Sequence, residues 1–540
     1  MKNKIVILSV LVISISFQGC SKFIEEEDLR NPVADTYYKT ATGFNDLINS
    51  CYTSTRDMVS SGNTIAAYIY GTDLWTSASD VEVNEFNTYS SQLTPSSSVL
   101  YTIWSGCYNG INACNTAISR SKNVTGLTQN EMNSKLGEAY YLRGWFYSVL
   151  VMQFGAIPLE TEEIVKVKTT ATRTSEDSVY SQIIEDLKKA DELLPVKQPD
   201  FGRATKPAAE ALLARIYITR NQNEEAAAYA KKVINDYNFE LLPDYAELWN
   251  PGNEVNAETI WSINFSKNPR LNIPGTGSSV HLYFTPRYDL HPGMTRSLIY
   301  DRPYPRYMAT RFYLDLMQSN RWRDSRYDKS WREVYLANYA PTLPPGMKLG
   351  DTAYIVVPYA VSQSVRDSKP YPIFDINFYY HDELPYGSLE IYPKLKKFDD
   401  PNRASINEGG GTRSIIEIRL AEMYFIAAEA LMKEGKSSEG VDYINTVLRR
   451  AAWPGHESDM EITADKLTLD FILDQRALEF GGERQRWATL KRTNKLIERV
   501  KLYNPAGRNN IQEKFLLRPI PSKEIDRLTN KADFPQNPGY

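Results

Sequence analysis

The feature that most constrains this chain is a helical hairpin, KPAAEALLARIYITRNQNEEAAAYAKKVIND, running from Lys206 to Asp236. Pro207 stands at a helix start, where a missing N–H costs nothing. Leu212, Leu213, Ile216 and Tyr217 then share one helical face. Asn221 to Asn223 interrupts the pattern, and Ala226, Ala227, Ala230, Val233 and Ile234 form the stripe of a second helix. Alanine in the stripe lets the two helices approach closely. One such hairpin cannot bury its own apolar face, so the chain must supply others for it to stack against.

It does. A tightly turned pair of this length looks like a tetratricopeptide unit. Ile415 to Arg450 repeats the design, with an Ala-rich first helix, a break at Gly435 and a second helix. Glu138–Phe154 with Ser178–Leu194, and Phe471–Phe480 with Arg484–Val500, predict two more pairs. Four hairpins separated by long non-repeat segments predict a mainly α fold. It divides into a helical part at about 33–248, an irregular insertion at about 249–411 and a second helical part at about 412–540, all in one domain. Within the insertion, Thr259–Phe265 and Ala353–Pro358 read as short strands.

The insertion is rich in aromatics. Between His281 and Phe398 lie 16 of the 36 tyrosines. Tyrosine offers a flat apolar face and a hydroxyl, which suits a partly wet recognition surface. The charge balance argues against nucleic acid, since Lys and Arg number 62 against 66 Asp and Glu and phosphate binding needs a basic face. Cys51, Cys107 and Cys114 are an odd set without a CxxC spacing, and Cys107 and Cys114 share a helical face, which predicts buried thiols rather than a bridge.

The first residues, MKNKIVILSVLVISISFQGC, carry two lysines and then an apolar run from Ile5 to Phe17. That run is shorter than the ~20 residues of a permanent membrane helix and reads as a secretory leader, residues 1–19. Cys20 after Gly19 looks like the lipid-modified first residue of a bacterial lipoprotein. The alternative is an ordinary leader with an incidental cysteine. Glu25 to Asp28, four consecutive acids, suit a flexible tether over residues 20–32 and resemble an acidic surface-export tag.

Three separated strings resemble one family. EAYYLRGWFYSVLVMQFGAIPL (Glu138 to Leu159), ILDQRALEFGGERQRWATLKR (Ile472 to Arg492), and LLRPIPSKEI with the terminal FPQNPGY are similar to the signatures of SusD/RagB outer-membrane lipoproteins, in the order that family has them. IRLAEMYFIAAEAL, Ile418 to Leu431, matches as well. The resemblance implies an α-helical fold on four tetratricopeptide-like pairs, with a ligand face made by the non-repeat segments. It also implies a SusC-like TonB-dependent outer-membrane barrel as partner, a glycan or in some members a peptide as ligand, and a lipid anchor facing the cell surface. Read as residues alone, Trp145, Phe146, Leu150 and Phe154 are spaced for a buried helix face. Arg484, Arg486 and Trp487 are expected to fasten the last hairpin.

Sugar rings bind through C–H contacts to aromatic faces, with hydrogen bonds from nearby polar groups. Two loops have that composition. One contributes Trp75, Asn84 and Tyr89; the other contributes Tyr304, Tyr307, Trp322, Arg323, Arg326 and Tyr327. Phe312, Leu314 and Leu316 warn that part of the second is a packed amphipathic segment, and Asp324–Tyr327 resembles a structural turn. The Asp/Asn-rich stretch Asp80–Asn87 offers oxygens for a structural calcium ion, without EF-hand spacing. No HExxH, GxSxG or P-loop is present. The two acids of a glycosidase need only meet in space, but a repeat scaffold points to binding. The expected function is surface glycan capture for import, with a peptide-binding lid or a surface glycan hydrolase as alternatives.

Overall fold

The computed structural model describes residues 34–272, 277–382, 384–385 and 389–540. The expected leader, Cys20 and the expected acidic tether lie outside the described residues.

Alternation of apolar side chains at helical spacing, with a polar cap at each start, produces the scaffold. Helix α1 (Ala41–Thr53) starts at Thr40, whose hydroxyl accepts from the Gly43 N–H. A short α2 (Gly62–Ile69) follows, then α3 (Ser98–Arg120) and α4 (Gln129–Phe154). Thr128 and Glu131 close a capping box on α4, satisfying two otherwise orphan N–H groups. Gly155 ends that helix at φ +73°. Helix α5 (Glu176–Leu193) packs back on α4, and α6 (Lys206–Thr219) and α7 (Asn223–Asn235) form the next hairpin. Asn221 makes the tight turn at φ +57°. Between α3 and α4 the backbones come close at Gly110, where a Cβ would stand 2.3 Å from the Phe146 ring.

After the insertion, which includes α8 (Arg311–Ser319), the scaffold resumes with α9 (Leu420–Lys433) and α10 (Ser437–Ala451). Helix α9 packs against α7, which joins the two helical parts. Two expected boundaries shift. Ile415–Arg419 is a strand, not the start of a helix; it pairs antiparallel with Thr259–Ile263, Ile415 opposite Ile263 and Arg419 opposite Thr259. The last hairpin has α11 (Leu469–Phe480) as its first arm. Its second arm is broken, into Arg486–Arg492 and α12 (Leu496–Tyr503), with Asn494 at φ +56°. The strand over Ala353–Pro358 occupies Thr352–Val356, in a three-stranded sheet with Val334–Leu336 and Ile373–Phe374.

One apolar cluster runs from Phe44 to Phe534 through both helical parts and the insertion. Trp145, Phe146, Leu150 and Phe154 are in it, as their spacing predicts. Cys51, Cys107 and Cys114 are buried and free. The tyrosines of the insertion correct their expected role. Among the described residues between His281 and Phe398, ten tyrosines are buried, and they build the insertion's own interior. Tyr288, Tyr335 and Tyr354 stack in series at 5.7 and 4.6 Å between ring centres.

Buried charges tie distant segments together. Arg419 donates to Glu258 (2.8 Å), Glu479 (2.7 Å) and Glu483 (2.8 Å), and Arg450 donates to Glu258 (2.7 Å) and to Glu479. Asp73 receives Arg486 (2.5 Å) and Arg499 (2.7 Å). Burial pushes the Asp73 carboxyl up, but the two guanidinium groups outweigh it and hold it below its usual range. The fastening role expected of Arg486 is this pair. Arg484 is ion-paired to Glu417, and Trp487 lies buried under the Arg518 guanidinium at 4.5 Å.

Candidate functional site

The two loops singled out in the sequence lie side by side. Trp75–Ser77 pairs antiparallel with Tyr307–Ala309, Trp75 opposite Ala309 and Ser77 opposite Tyr307. Beyond the strands the contact continues: the Ala78 N–H donates to the Arg306 carbonyl (2.9 Å) and the Asp80 N–H to the Pro305 carbonyl (2.8 Å). That register carries Asp80 and Glu82 to Arg306.

Arg306 organises what is found there. Its side chain is fully buried, and it donates through Nε to Asp80 (2.6 Å), through Nη2 to Glu82 (2.5 Å) and through Nη1 to the Asn63 side-chain oxygen (2.5 Å). The rings of Tyr283 and Tyr304 stand 4.5 and 5.4 Å from its guanidinium carbon, and they meet edge to face at 5.3 Å. Asn63 also donates to Glu82 (2.9 Å). That bond, with the Arg306 charge, holds the Glu82 carboxyl below its usual range against the effect of burial. Tyr283, Tyr304, Asn63 and Asp80 are half-buried, and Val81 and Glu82 are exposed. The result is a rigid pair of aromatic rings rimmed by oxygen acceptors on an outward face.

Of the nine candidate side chains, Trp322 is exposed, at 60 %. Tyr304, Asn84 and Arg323 are half-buried, and only Tyr304 belongs to the face just described. Asn84 precedes the short helix Glu85–Thr88 and receives the Asn87 amide at 3.3 Å. Arg323 is spent on Asn320 (2.6 Å) and on the Asp459 carbonyl. The other five are interior, which corrects their expected place on a ligand surface. Trp75 is 2 % exposed, set among Phe284, Tyr313 and Trp331 at 4.9, 5.6 and 5.9 Å. Tyr89 donates to the Gly71 carbonyl (2.5 Å) and Tyr307 to the Gly62 carbonyl (2.6 Å). Arg326 is ion-paired to Asp324 (2.6 Å) and Glu479 (3.3 Å). Tyr327 stacks on Trp331 at 5.8 Å. Asp80–Asn87 does not assemble the calcium ligands it was expected to offer, because Arg306 takes the Asp80 and Glu82 carboxylates; among the described residues no cluster of three or more His, Cys, Asp or Glu could hold a metal ion.

Sequence reasoning missed Tyr283, Asn63 and Arg306. The signal was present only in part. Asp80 and Glu82 stood in the first loop and Arg306 in the second, but the strand register that joins them is a tertiary fact.

Residues 24–218 match a family profile described as starch-binding and associating with the outer membrane, and residues 315–540 match the profile of the SusD family. The chain belongs to the SusD/RagB family. A SusD-like protein, P2, of Formosa agariphila is 26 % identical over 567 residues, covering 99 % of both chains. The fold agrees with solved SusD structures. A laminarin-binding SusD-like protein superposes with TM-score 0.72 at 21 % identity, covering 93 % of this chain and all of that one. Surface glycan-binding protein A of Bacteroides thetaiotaomicron, solved with laminarihexaose, gives 0.69 at 19 %, covering 92 % and 99 %. The SusD family is mainly α and outer-membrane associated, and among the described residues no helix is long and apolar enough to cross a membrane.

Proposed function

We propose that this SusD-family protein captures a glycan on the Tyr283–Tyr304 face and delivers it to a SusC-like TonB-dependent barrel. Acylation of Cys20 would hold it to the outer membrane, facing the cell surface. The observation that carries the reading is the Arg306 assembly. It fixes two rings beside the Asp80, Glu82 and Asn63 oxygens on one face, and each oxygen has a second lone pair beyond the one Arg306 engages, which is what a sugar ring needs: C–H contact below and hydroxyl acceptors at the edge. The laminarin and laminarihexaose ligands of two structural relatives support the ligand class. The Asn63 hydrogen bond and the Arg306 charge favour an ionised Glu82, which does not suit the protonated-acid role in glycosidic cleavage.

The test is retardation of the purified protein in gels containing single polysaccharides, laminarin included, with reducing ends measured in parallel. Retardation by at least one glycan and no released ends is expected. Capture of peptides only, or release of reducing ends, overturns the reading. The anchor is tested separately: Cys20→Ala should move the protein out of the membrane fraction, and a lipid still attached in that variant would refute the assignment.

A further inference from the structure

A second cavity lies in the helical scaffold between α2, α4, α6, α9, α11 and the segment that follows it. Its volume is about 120 Å³. Half-buried Val149, Met152 and Thr219 stand on its wall, so it communicates with solvent. Four arginines line it: Arg215, Arg476, Arg484 and Arg492.

Three of these are neutralised. Arg215 donates to Glu417 (3.1 Å) and Glu422 (2.7 Å), Arg484 is paired to Glu417, and Arg492 grips Glu429 with both terminal nitrogens (2.6 and 2.7 Å). The remaining lining carboxylate, Glu483, is taken by Arg419 and Lys397. Arg476 has no carboxylate in ion-pair contact among the described residues. Its Nη2 donates to the neutral Gln485 side-chain oxygen (2.8 Å), and its Nη1 is buried without a hydrogen-bond partner. The residue is 5 % exposed. Phe425 and Phe480 stand 5.6 and 5.0 Å from its guanidinium carbon, so apolar rings pack against it, and the Glu422 and Glu429 carboxylates act on it through space without touching it. Tyr68 Oη, on a residue of the same wall, is likewise buried and unpartnered.

A buried cation without a counter-charge in contact is costly, and so is each spare donor beside it. Burial, reinforced by the Arg492 charge, pulls Arg476 down to about 10. An anion at Arg476 offsets both costs. We propose that this cavity is a binding site for a small monovalent anion, a halide or a short carboxylate, received by Arg476 Nη1 and Tyr68 Oη. The volume holds such an ion with a few waters. The anion site shares helix α2 with the glycan face, through Tyr68 and Asn63, but no side chain, so either can fail alone.

The experiment uses the full-length protein in detergent. Gluconate is replaced stepwise by chloride, formate or acetate at constant ionic strength, and thermal unfolding is followed. A saturable rise of about 2 °C with at least one small anion is expected, and it should be lost in Arg476→Met. A larger response to chloride names a halide, and a larger response to formate or acetate names a carboxylate. Because removal of a buried guanidinium can unfold the chain, crystals of the unaltered protein soaked in bromide, and separately in formate, give the second measurement. Bromide anomalous scattering or formate density within hydrogen-bond distance of Arg476 Nη1 supports the site. Water alone at that atom in both soaks, or a thermal response that survives in a folded Arg476→Met, overturns it.

Discussion

The loop around Trp75 and the turn around Trp322 look alike in sequence, each an indole among Asp, Ser and Arg or Thr, and the fold treats them oppositely. Trp75 is 2 % exposed and sits at the centre of a ring cluster formed with Phe284, Tyr313 and Trp331. Trp322 is 60 % exposed, touched edge-on by His456 at 5.4 Å and flanked by Arg323. The difference is strand pairing. Trp75 begins a strand whose partner, Tyr307–Ala309, pulls it inward. Trp322 has no strand and lies in the turn that leads out of α8. An aromatic in a loop is therefore a ligand contact only after its backbone partners are known.

The comparison breaks hardest at Trp75. Trp75→Ala should destabilise the protein by about 3–5 kcal/mol, the cost of an unfilled core site, read from the shift in denaturant midpoint. A change below ~1 kcal/mol would mean that the ring cluster does not hold the loops.

Charge divides the same way as aromaticity: buried Glu429 holds the scaffold, while exposed Glu82 faces outward. Burial opposes ionisation of Glu429, but Arg492 and Lys433 outweigh it and lower its pKa from 4.5 to about 2. The folded pKa lies below the unfolded one, so this contribution is complete above about pH 4.5 and is lost as pH falls toward about 2. It is on the order of 3 kcal/mol. The stability gap between the unaltered protein and Glu429→Gln should shrink between pH 7 and pH 3; a constant gap would refute the linkage.

Tyr304→Ala should weaken glycan capture about tenfold, or ~1.4 kcal/mol, with melting nearly unchanged. Equal affinity would place the ligand elsewhere. Trp322→Ala is expected to have the smallest effect, within about 0.5 kcal/mol on stability and none on capture. A drop in capture with Trp322→Ala alone would move the platform from Arg306 to this turn.

The helical hairpins were legible because their evidence is local: the Ala stripe of α6 and α7, the cap at Thr128, the break at Gly435. Ile415–Arg419 was misread because its apolar run flows without a break into α9, and its partner strand lies at residues 259–263. The aromatic loops were found, but not which rings face out. Trp75 and Tyr307 turn inward through a pairing across the chain, and Arg326 through carboxylates at Asp324 and Glu479. Arg476 gave no signal at all in the sequence. Its spare donor follows from how Arg215, Arg492 and Arg419 claim the neighbouring carboxylates.

The Asp73 ion pairs set a timetable for folding. Asp73 meets Arg486 across 413 positions of chain, and neighbouring Trp75 waits for residues 307–309. Until those segments arrive, the first quarter of the polypeptide carries a bare carboxylate and an uncovered indole at the place where its interior must close. Long-range closure of this kind is slow and leaves sticky surface open meanwhile. A chain cut between the helical parts should leave both pieces unable to finish. The molecule becomes itself only when nearly all of it is present.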